Sequence, residues 1–511
     1  MQISCFSSPS TRFKENTMKK IVPLLLGLAL LTLTGCPPEP TKPATPPSGS
    51  PPASKGATSV APVAVVPTES ASKEEPQPEP PKEEPKTEEP QPEPAKEEPK
   101  KEEAKPEPVK EEPKKEEAKP EAAEKPADPA ADPAAEHRKT VLGVIAQYKA
   151  KWGFDAEKNA KHKPAILVTL PADLHQPDGM TVNPKTKTIF LSCPNFNYDG
   201  PEKNPGALAR VKIDGDKPTV EKLFVYKDKV AHADTGKVGP MGLFFGPDGH
   251  LYVCDNQYFF DKANKSRMLR VRMDGDNPTG AVEVVVEGTK LSNAALWVGD
   301  KMYVTDTFLD REGEFGAGCV WRFTLDELAK AGTDGNPPIK VNPIKKMEDD
   351  PHCISLQSVK NLPGCGNGGA DGMTADKDGV VYYGNFGNGE MYRITFDADG
   401  KPATDVIHEA GDYFNCCDGI FYDADTNKVY VNDSAANAIH AFAPPKAGEK
   451  AVFETIWTNG DTDGADGSLD QPCEVVVVDG KMVVANFDWP FPELLNSGFG
   501  PPNTISVINL K

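Results

Sequence analysis

One strand pair, returning with the same turn residues, constrains this chain more than any other feature. Beyond residue 160, a turn containing Pro, Gly or Asp leads into a short apolar strand. An Asp/Gly/Asn/Lys hairpin follows, and then a strand rich in Val, Tyr and Phe. The copies run from Pro177-Asp178-Gly179-Met180 to Ile189-Phe190-Leu191, from Pro240-Met241-Gly242-Leu243 to Leu251-Tyr252-Val253, and from Asn293-Ala294-Ala295-Leu296 to Met302-Tyr303-Val304. They continue from Ala370-Asp371-Gly372-Met373 to Val381-Tyr382-Tyr383, from Cys417-Asp418-Gly419-Ile420 to Val429-Tyr430-Val431, and from Cys473-Glu474-Val475-Val476 to Met482-Val483-Val484. A third strand is visible in Glu390-Met391-Tyr392-Arg393-Ile394 and Ala438-Ile439-His440-Ala441-Phe442. Hairpins at this spacing predict an all-β domain. Six units of this size predict a six-bladed β-propeller, which leaves only short, protected edges. A β-sandwich would not explain why one strand pair keeps returning. The ring also needs closure. Thr504-Ile505-Ser506-Val507-Ile508 supplies a third strand for the last blade, and Ala165-Ile166-Leu167-Val168-Thr169 its outer strand from the N-terminal side.

The chain before the repeats has a different character. Of 52 prolines, 26 fall between Pro37 and Thr140, where no aromatic residue occurs. Such a stretch cannot bury enough apolar surface to offset the entropy of ordering it. Residues 37–139 therefore read as a disordered Pro/Glu/Lys-rich tether, extending ~3 Å per residue where polyproline-like. Within it, Lys100-Lys101-Glu102-Glu103-Ala104-Lys105-Pro106-Glu107 recurs at Lys114-Lys115-Glu116-Glu117-Ala118-Lys119-Pro120-Glu121. The folded domain is expected over 140–511, opening on a short helix from Thr140 to Trp152 with Val141, Val144, Ile145 and Tyr148 on one face.

Residues 1–36 form a signal segment. Met18-Lys19-Lys20, taken as the true start, precedes an apolar run from Ile21 to Leu31. The run closes on Leu33-Thr34-Gly35-Cys36, which resembles the bacterial lipobox. That resemblance makes Cys36 the lipidated residue and anchors the chain to a membrane of the cell envelope. Pro37 in place of Asp after the cysteine points to the outer membrane, or to a periplasm-facing position.

The net charge of −20 is shared unevenly: +3 over residues 1–36, −8 over 37–140, and −15 over the remainder. A domain this acidic repels phosphate backbones, which argues against nucleic-acid binding and favours cations or carbohydrate-like neutral ligands. Eight cysteines remain in the domain, and an exported location predicts disulfides, with Cys353 and Cys365 a natural local pair and Cys416, Cys417 and Cys473 clustered. His175, His232, His352, His408 and His440 lack ligand spacing and read as surface residues. Asp461-Thr462-Asp463-Gly464-Ala465-Asp466-Gly467 matches a calcium loop only in part, since Ala465 occupies a ligand position, and reads as a solvated turn.

In a propeller the start of each innermost strand faces the central channel. The alignment puts Asp178, Met241, Ala294, Asp371, Asp418 and Glu474 in that row. Carboxylates converging on one axis repel unless a cation binds them or they hold protons. An oxygen-only set suits Ca²⁺, Mg²⁺ or Mn²⁺. The competing reading takes Asp178, Asp371 and Asp418, each followed by Gly, as turn residues capping backbone N–H groups. Glu474 does not precede Gly and fits that reading poorly.

These residues resemble the SMP-30/gluconolactonase/LRE-like family, six-bladed propellers that hydrolyse lactones with a divalent metal. Cys417-Asp418-Gly419-Ile420-Phe421 through Val431-Asn432-Asp433-Ser434 and Ile439-His440-Ala441-Phe442 looks like one blade of that family. Gln471-Pro472-Cys473-Glu474-Val475-Val476 sits at its Pro-Asp-Gly, and Ala370-Asp371-Gly372-Met373 at its Asn-Asp-Gly. The resemblance, over roughly 165–511, implies that Asp178, Asp418 and Glu474 hold a metal. It further implies Glu474 as the base on the attacking water and Asp371 in the substrate pocket. The sequence also departs from the family. Its Glu, Asn and Asp ligands read here as Asp, Asp and Glu, and Cys365-Gly366-Asn367-Gly368-Gly369 replaces its Arg. A base moved by about an ångström can cost ~100-fold in rate. Two functions follow: an envelope-anchored, divalent-metal-dependent lactone or ester hydrolase, or a non-catalytic propeller binding a sugar, glycan or protein at the envelope.

Overall fold

The computed structural model describes residues 132–196, 205–214, 217–311, 314–333 and 335–511. The signal segment, Cys36 and residues 37–131 of the tether lie outside these residues; residues 133–139, expected in the disordered tether, are helical instead. Within the described residues, the strands form six sheets, three of which are blades of four strands consecutive in sequence. Blade one holds β2 (Met180–Val182), β3 (Ile189–Cys193), β4 (Ala207–Asp214) and β5 (Lys217–Val225). Blade two holds β6 (Pro240–Phe245), β7 (Leu251–Asp255), β8 (Ser266–Asp274) and β9 (Asn277–Thr289), with β13 (Ile339–Lys340) added parallel to β9. Blade three holds β10 (Ser292–Val298), β11 (Lys301–Arg311), β12 (Glu314–Thr324) and β14 (Cys353–Ser358). Blade four holds β15 (Ala370–Ala375), β16 (Val381–Asn385), β17 (Met391–Phe396) and β18 (Pro402–His408), and blade five β19 (Ile420–Asp423), β20 (Lys428–Asp433), β21 (Ala438–Phe442) and β22 (Phe453–Thr458).

Blade six closes the ring as the sequence predicts. β23 (Pro472–Val478), β24 (Lys481–Asn486) and β25 (Thr504–Asn509) are joined by β1 (Ala165–Thr169), which pairs antiparallel with β25 from Ala165↔Val507 to Thr169↔Thr504. The N-terminal strand thus covers the edge the last blade would expose.

Two further rows repeat through the blades. The second strands of blades two to six carry a row of buried Asp or Asn: Asp255, Asn385, Asp433 and Asn486 at their ends, and Asp306 within β11. Three of these side chains hold the segment entering their own inner strand. Asp255 accepts from Gly239 N at 2.9 Å, Asp306 from Lys290 N and Leu291 N at 2.9 and 2.7 Å, and Asn486 from Asp470 N at 3.1 Å. The second row is arginine on the third strand. Arg210 pairs with Glu221, Arg270 with Glu283, and Arg393 with Asp405, each across to the fourth strand. The same guanidinium groups reach the next blade around the ring. Arg210 donates to Asp276 O, Arg270 to Leu328 O, Arg322 to Gly400 O, and Arg393 to Pro445 O and Lys446 O. A charge-assisted bond to a buried carbonyl is stronger than a neutral one, so these arginines link blades as well as strands.

Helix α1 (Pro133–Lys151) starts seven residues before the expected Thr140. Asp132 caps it, accepting from Ala134 N at 3.0 Å, and Pro133 suits the first helical position. Val141, Ile145 and Tyr148 are buried beneath it as anticipated, while Val144 is half-buried. The helix packs on segments that enter inner strands: Lys149 donates to Asn459 O, and Trp152 Nε1 to Tyr413 O. No helix among the described residues is long and apolar enough to cross a membrane.

Some expectations need correction. All eight cysteines of the domain are free thiols: Cys353 lies beside Cys319 on the neighbouring strand, whereas Cys365 lies in a cleft against α1. His175, His408 and His440 are buried, not on the surface. Phe414 stacks on His408 at 4.3 Å and on His440 at 5.0 Å, and burial drives the His408 imidazole down to about 4. The 461–467 segment is a turn, its carboxylates accepting from Ser497 N, Ala465 N and Ser468 N.

Candidate functional site at the ring axis

The row of inner-strand starts falls where the alignment places it, and its acids stand on contiguous blades: Asp371 on four, Asp418 on five, Glu474 on six and Asp178 on one. Met241 and Ala294 complete the ring on blades two and three. The result is an arc of carboxylates facing an apolar remainder.

The glycines after these acids are not turn residues. None of Gly179, Gly242, Gly372 and Gly419 has positive φ. A Cβ at these positions would come within 2.3 Å of Met241 O, 2.4 Å of Asn293 O, 2.0 Å of Asp418 O and 2.4 Å of Cys473 O. Each contact is with the next inner strand, so glycine here permits neighbouring blades to touch at the axis. Gly419 N donates to Cys473 O at 2.6 Å, and Cys473 Sγ to Pro177 O at 3.1 Å, joining blades five, six and one.

Among the described residues, each axial carboxylate has a donor from the protein, except Asp178, whose backbone N–H bonds Ser192 O. Asn293 Nδ2 donates to Asp371 at 2.6 Å. Gly419 N donates to Asp418 Oδ1 at 3.0 Å, and the Ser434 hydroxyl to its other oxygen. Val475 N donates to Glu474 Oε1 at 2.9 Å. Burial raises all four groups above the ordinary carboxyl range. For Asp178 the Asp418 charge adds to it; for Asp371 those of Asp418, Asp178 and Glu474; for Glu474 those of Asp178 and Asp418. Burial takes Asp418 to about 7, moderated by Ser434 and Gly419 N. At neutral pH the arc therefore holds protons as well as charge.

Ca²⁺, Mg²⁺ or Mn²⁺ would need several of these oxygens on one point. Among the described residues, no three His, Cys, Asp or Glu side chains could hold a metal ion as they stand. Asp371, Asp418 and Glu474 already spend oxygens on Asn293, Ser434 and backbone N–H groups. The carboxylates fit hydrogen-bonded acids better than metal ligands.

Below the arc runs an axial channel of about 400 Å³. Its lining draws on the inner strand of every blade, including Met180, Leu243, Trp297, Met373, Ile420 and Val476. Glu474 is the one member of the acid row on its wall. The lining continues to Gly299, Asp376 and Tyr422, near the inner hairpins, where exposure rises and the channel meets solvent.

On the opposite face, residues 487–503 connect β24 to β25 across the ring. Trp489 of blade six packs on Phe196 of blade one and Phe259 of blade two, both at 5.6 Å. Phe491 meets Phe386 of blade four at 5.4 Å. A segment reaching blades two and four from blade six passes over the axis. Arg138 of α1 fastens it, donating to the carbonyls of Leu494, Leu495 and Asn496. Sequence reasoning missed this cover; Trp489-Pro490-Phe491 inside a long connection was the available signal. It also missed Asn293 and Trp297, whose positions depend on neighbouring blades.

No family model matches the chain, and no curated protein matches it. Among solved structures it is similar to the PQQ-bound aldose sugar dehydrogenase of Streptomyces coelicolor, at 15% identity over 68% of this chain and 98% of that one, TM-score 0.44. It is similar to the calcium-binding protein regucalcin of Agrobacterium tumefaciens, at 12% identity over 68% and 94%, TM-score 0.40. A third likeness is to the periplasmic gluconolactonase of Pseudomonas aeruginosa, at 13% identity over 55% and 69%, TM-score 0.35. At such identities and TM-scores, none of the three assigns a chemistry to this chain.

Proposed function

We propose that this chain is a non-catalytic, ligand-binding propeller held at the cell envelope by a lipid on Cys36. The observation carrying the reading is the axis itself. A channel open to solvent at one end carries Glu474 on its wall, and Asp371 and Asp418 are tied to protein donors. The channel's size is that of ordinary small-molecule sites, and its wall mixes apolar side chains with polar groups such as Thr181, Thr374 and Asp376. A carbohydrate-like or cationic ligand suits the acids and the domain's charge of −15. The Lys19-Lys20 start, the apolar run and Leu33-Thr34-Gly35-Cys36 support the anchor, and residues 37–131 give it reach.

Two experiments test this reading. Lactone and aryl-ester turnover is measured with Ca²⁺, Mg²⁺ or Mn²⁺ added, on the native chain and on Glu474→Gln. We expect no turnover above buffer in either; turnover lost in Glu474→Gln would restore the hydrolase. Labelled palmitate should enter the chain in a bacterial host and be absent from Cys36→Ser. Labelling that survives this change would remove the anchor.

A further inference from the structure

Resting on the ligand-binding reading, we propose that the axial channel takes a slender amphiphile: an unbranched apolar chain ending in a primary ammonium, entering from the inner-hairpin face with its head at Glu474.

The shape of the space comes first. The lining spans an inner strand from Ala294 to Gly299, a length of ~16 Å at the usual rise per residue. About 400 Å³ over that length is a narrow tube. The direction of entry follows from the cover. Trp489 and Phe491 pass over the opposite mouth, and the inner strands touch through Gly372, Gly419 and Gly179 at the layer of the acids. Among the described residues, the tube is the open way to Glu474.

Its chemistry follows from the wall. Apolar side chains such as Met180, Leu296, Met373 and Val476 make about half of the wall and reward an apolar body, while Asp376 places a second carboxylate at the open end. Glu474 at the inner end, with Asp178 and Asp418 behind it, rewards a positive head that donates hydrogen bonds. An organic ammonium meets both demands, and a free sugar or an inorganic cation meets only one. Trp297, on the same wall, is 9% exposed and its indole N–H has no partner among the described residues, so its fluorescence reports occupancy.

The test uses the full chain carrying Cys36→Ser, so that no acyl chain competes. Butyl-, hexyl- and octylammonium and octanol are titrated by calorimetry and tryptophan fluorescence. Affinity should rise about fourfold per methylene. Glu474→Gln should weaken octylammonium at least tenfold and leave octanol unchanged. Val298→Arg, at the solvent end, should weaken every member of the series without touching Glu474. Absent ammonium binding, no chain-length dependence, or equal affinity in Glu474→Gln overturns the proposal. Glu474-dependent binding of a neutral sugar alone would overturn the amphiphile and keep the ligand-binding reading. Failure of ammonium, octanol and sugar probes together overturns both.

Discussion

A methyl group added at Gly419 would sit 2.4 Å from the carbonyl oxygen of Cys473 and equally close to the Glu474 carboxyl. Neither backbone can retreat without opening the ring. Gly419→Ala should therefore cost ~3 kcal/mol, at the upper end of ordinary overpacking, when measured by urea unfolding. A loss under ~1 kcal/mol would mean the blades do not meet there. Asp418 offers a second test at this scale. Its carboxyl stands at about 7 in the fold against 3.8 in the unfolded chain. The folded state thus holds the proton over that interval, and the stability this gives falls as pH rises from about 4 to 7. The buried histidines act oppositely below 6.5, since burial keeps His408 and His440 neutral. Above pH 6.5 the raised acids prevail, so melting temperature should decline from pH 6.5 to 8.5 and decline less in Asp418→Asn. An unchanged slope in the variant would count against the shared charge. The acid row was legible because its residues recur at one register. The purpose of the glycines was not, because it is set by the next blade.

Among the elements, the inner and second strands were the ones visible in the sequence, since both are buried and apolar. The fourth strands were harder to see. β5 reads Lys217-Pro218-Thr219-Val220-Glu221-Lys222-Leu223-Phe224-Val225, half polar and largely exposed or half-buried, because it lies at the rim. The arginine row escaped notice for a related reason: its partners lie on the fourth strand and on the following blade. It yields a graded prediction. Arg270 is fully buried, bonds Glu283, and reaches Leu328 O and Ala331 O. Arg272 keeps Glu283 paired, but the carbonyls of Leu328 and Ala331 lose their donor, so Arg270→Ala should cost ~3 kcal/mol. Arg322, part-exposed and bonded to Gly400 O, should cost ~1 kcal/mol. Equal losses would deny the link between blades. β1 gives the closing test of topology. Deleting the chain through Thr169 removes β1, one of the two neighbours of β25, together with α1, and the urea midpoint should fall by about 1 M more than on deleting the chain through Lys163, which removes α1 alone. No change would mean that the ring closes without it.

Taken whole, the molecule was readable as a ring because six copies of one unit leave little choice of architecture. What crosses between copies was not readable: the Trp489–Phe491 cover, the Asn293 donor on Asp371, and the channel's single open end. Those contacts join residues far apart in sequence, and they separate a metal-dependent hydrolase from a propeller that only binds. Metal content of the full chain, purified without chelator and assayed after dialysis against Ca²⁺, Mg²⁺ and Mn²⁺ in turn, tests that distinction most directly. The account predicts far less than one equivalent of each ion, unchanged in an Asp178→Asn, Asp418→Asn double variant. One tightly held equivalent, lost in that variant, would contradict it.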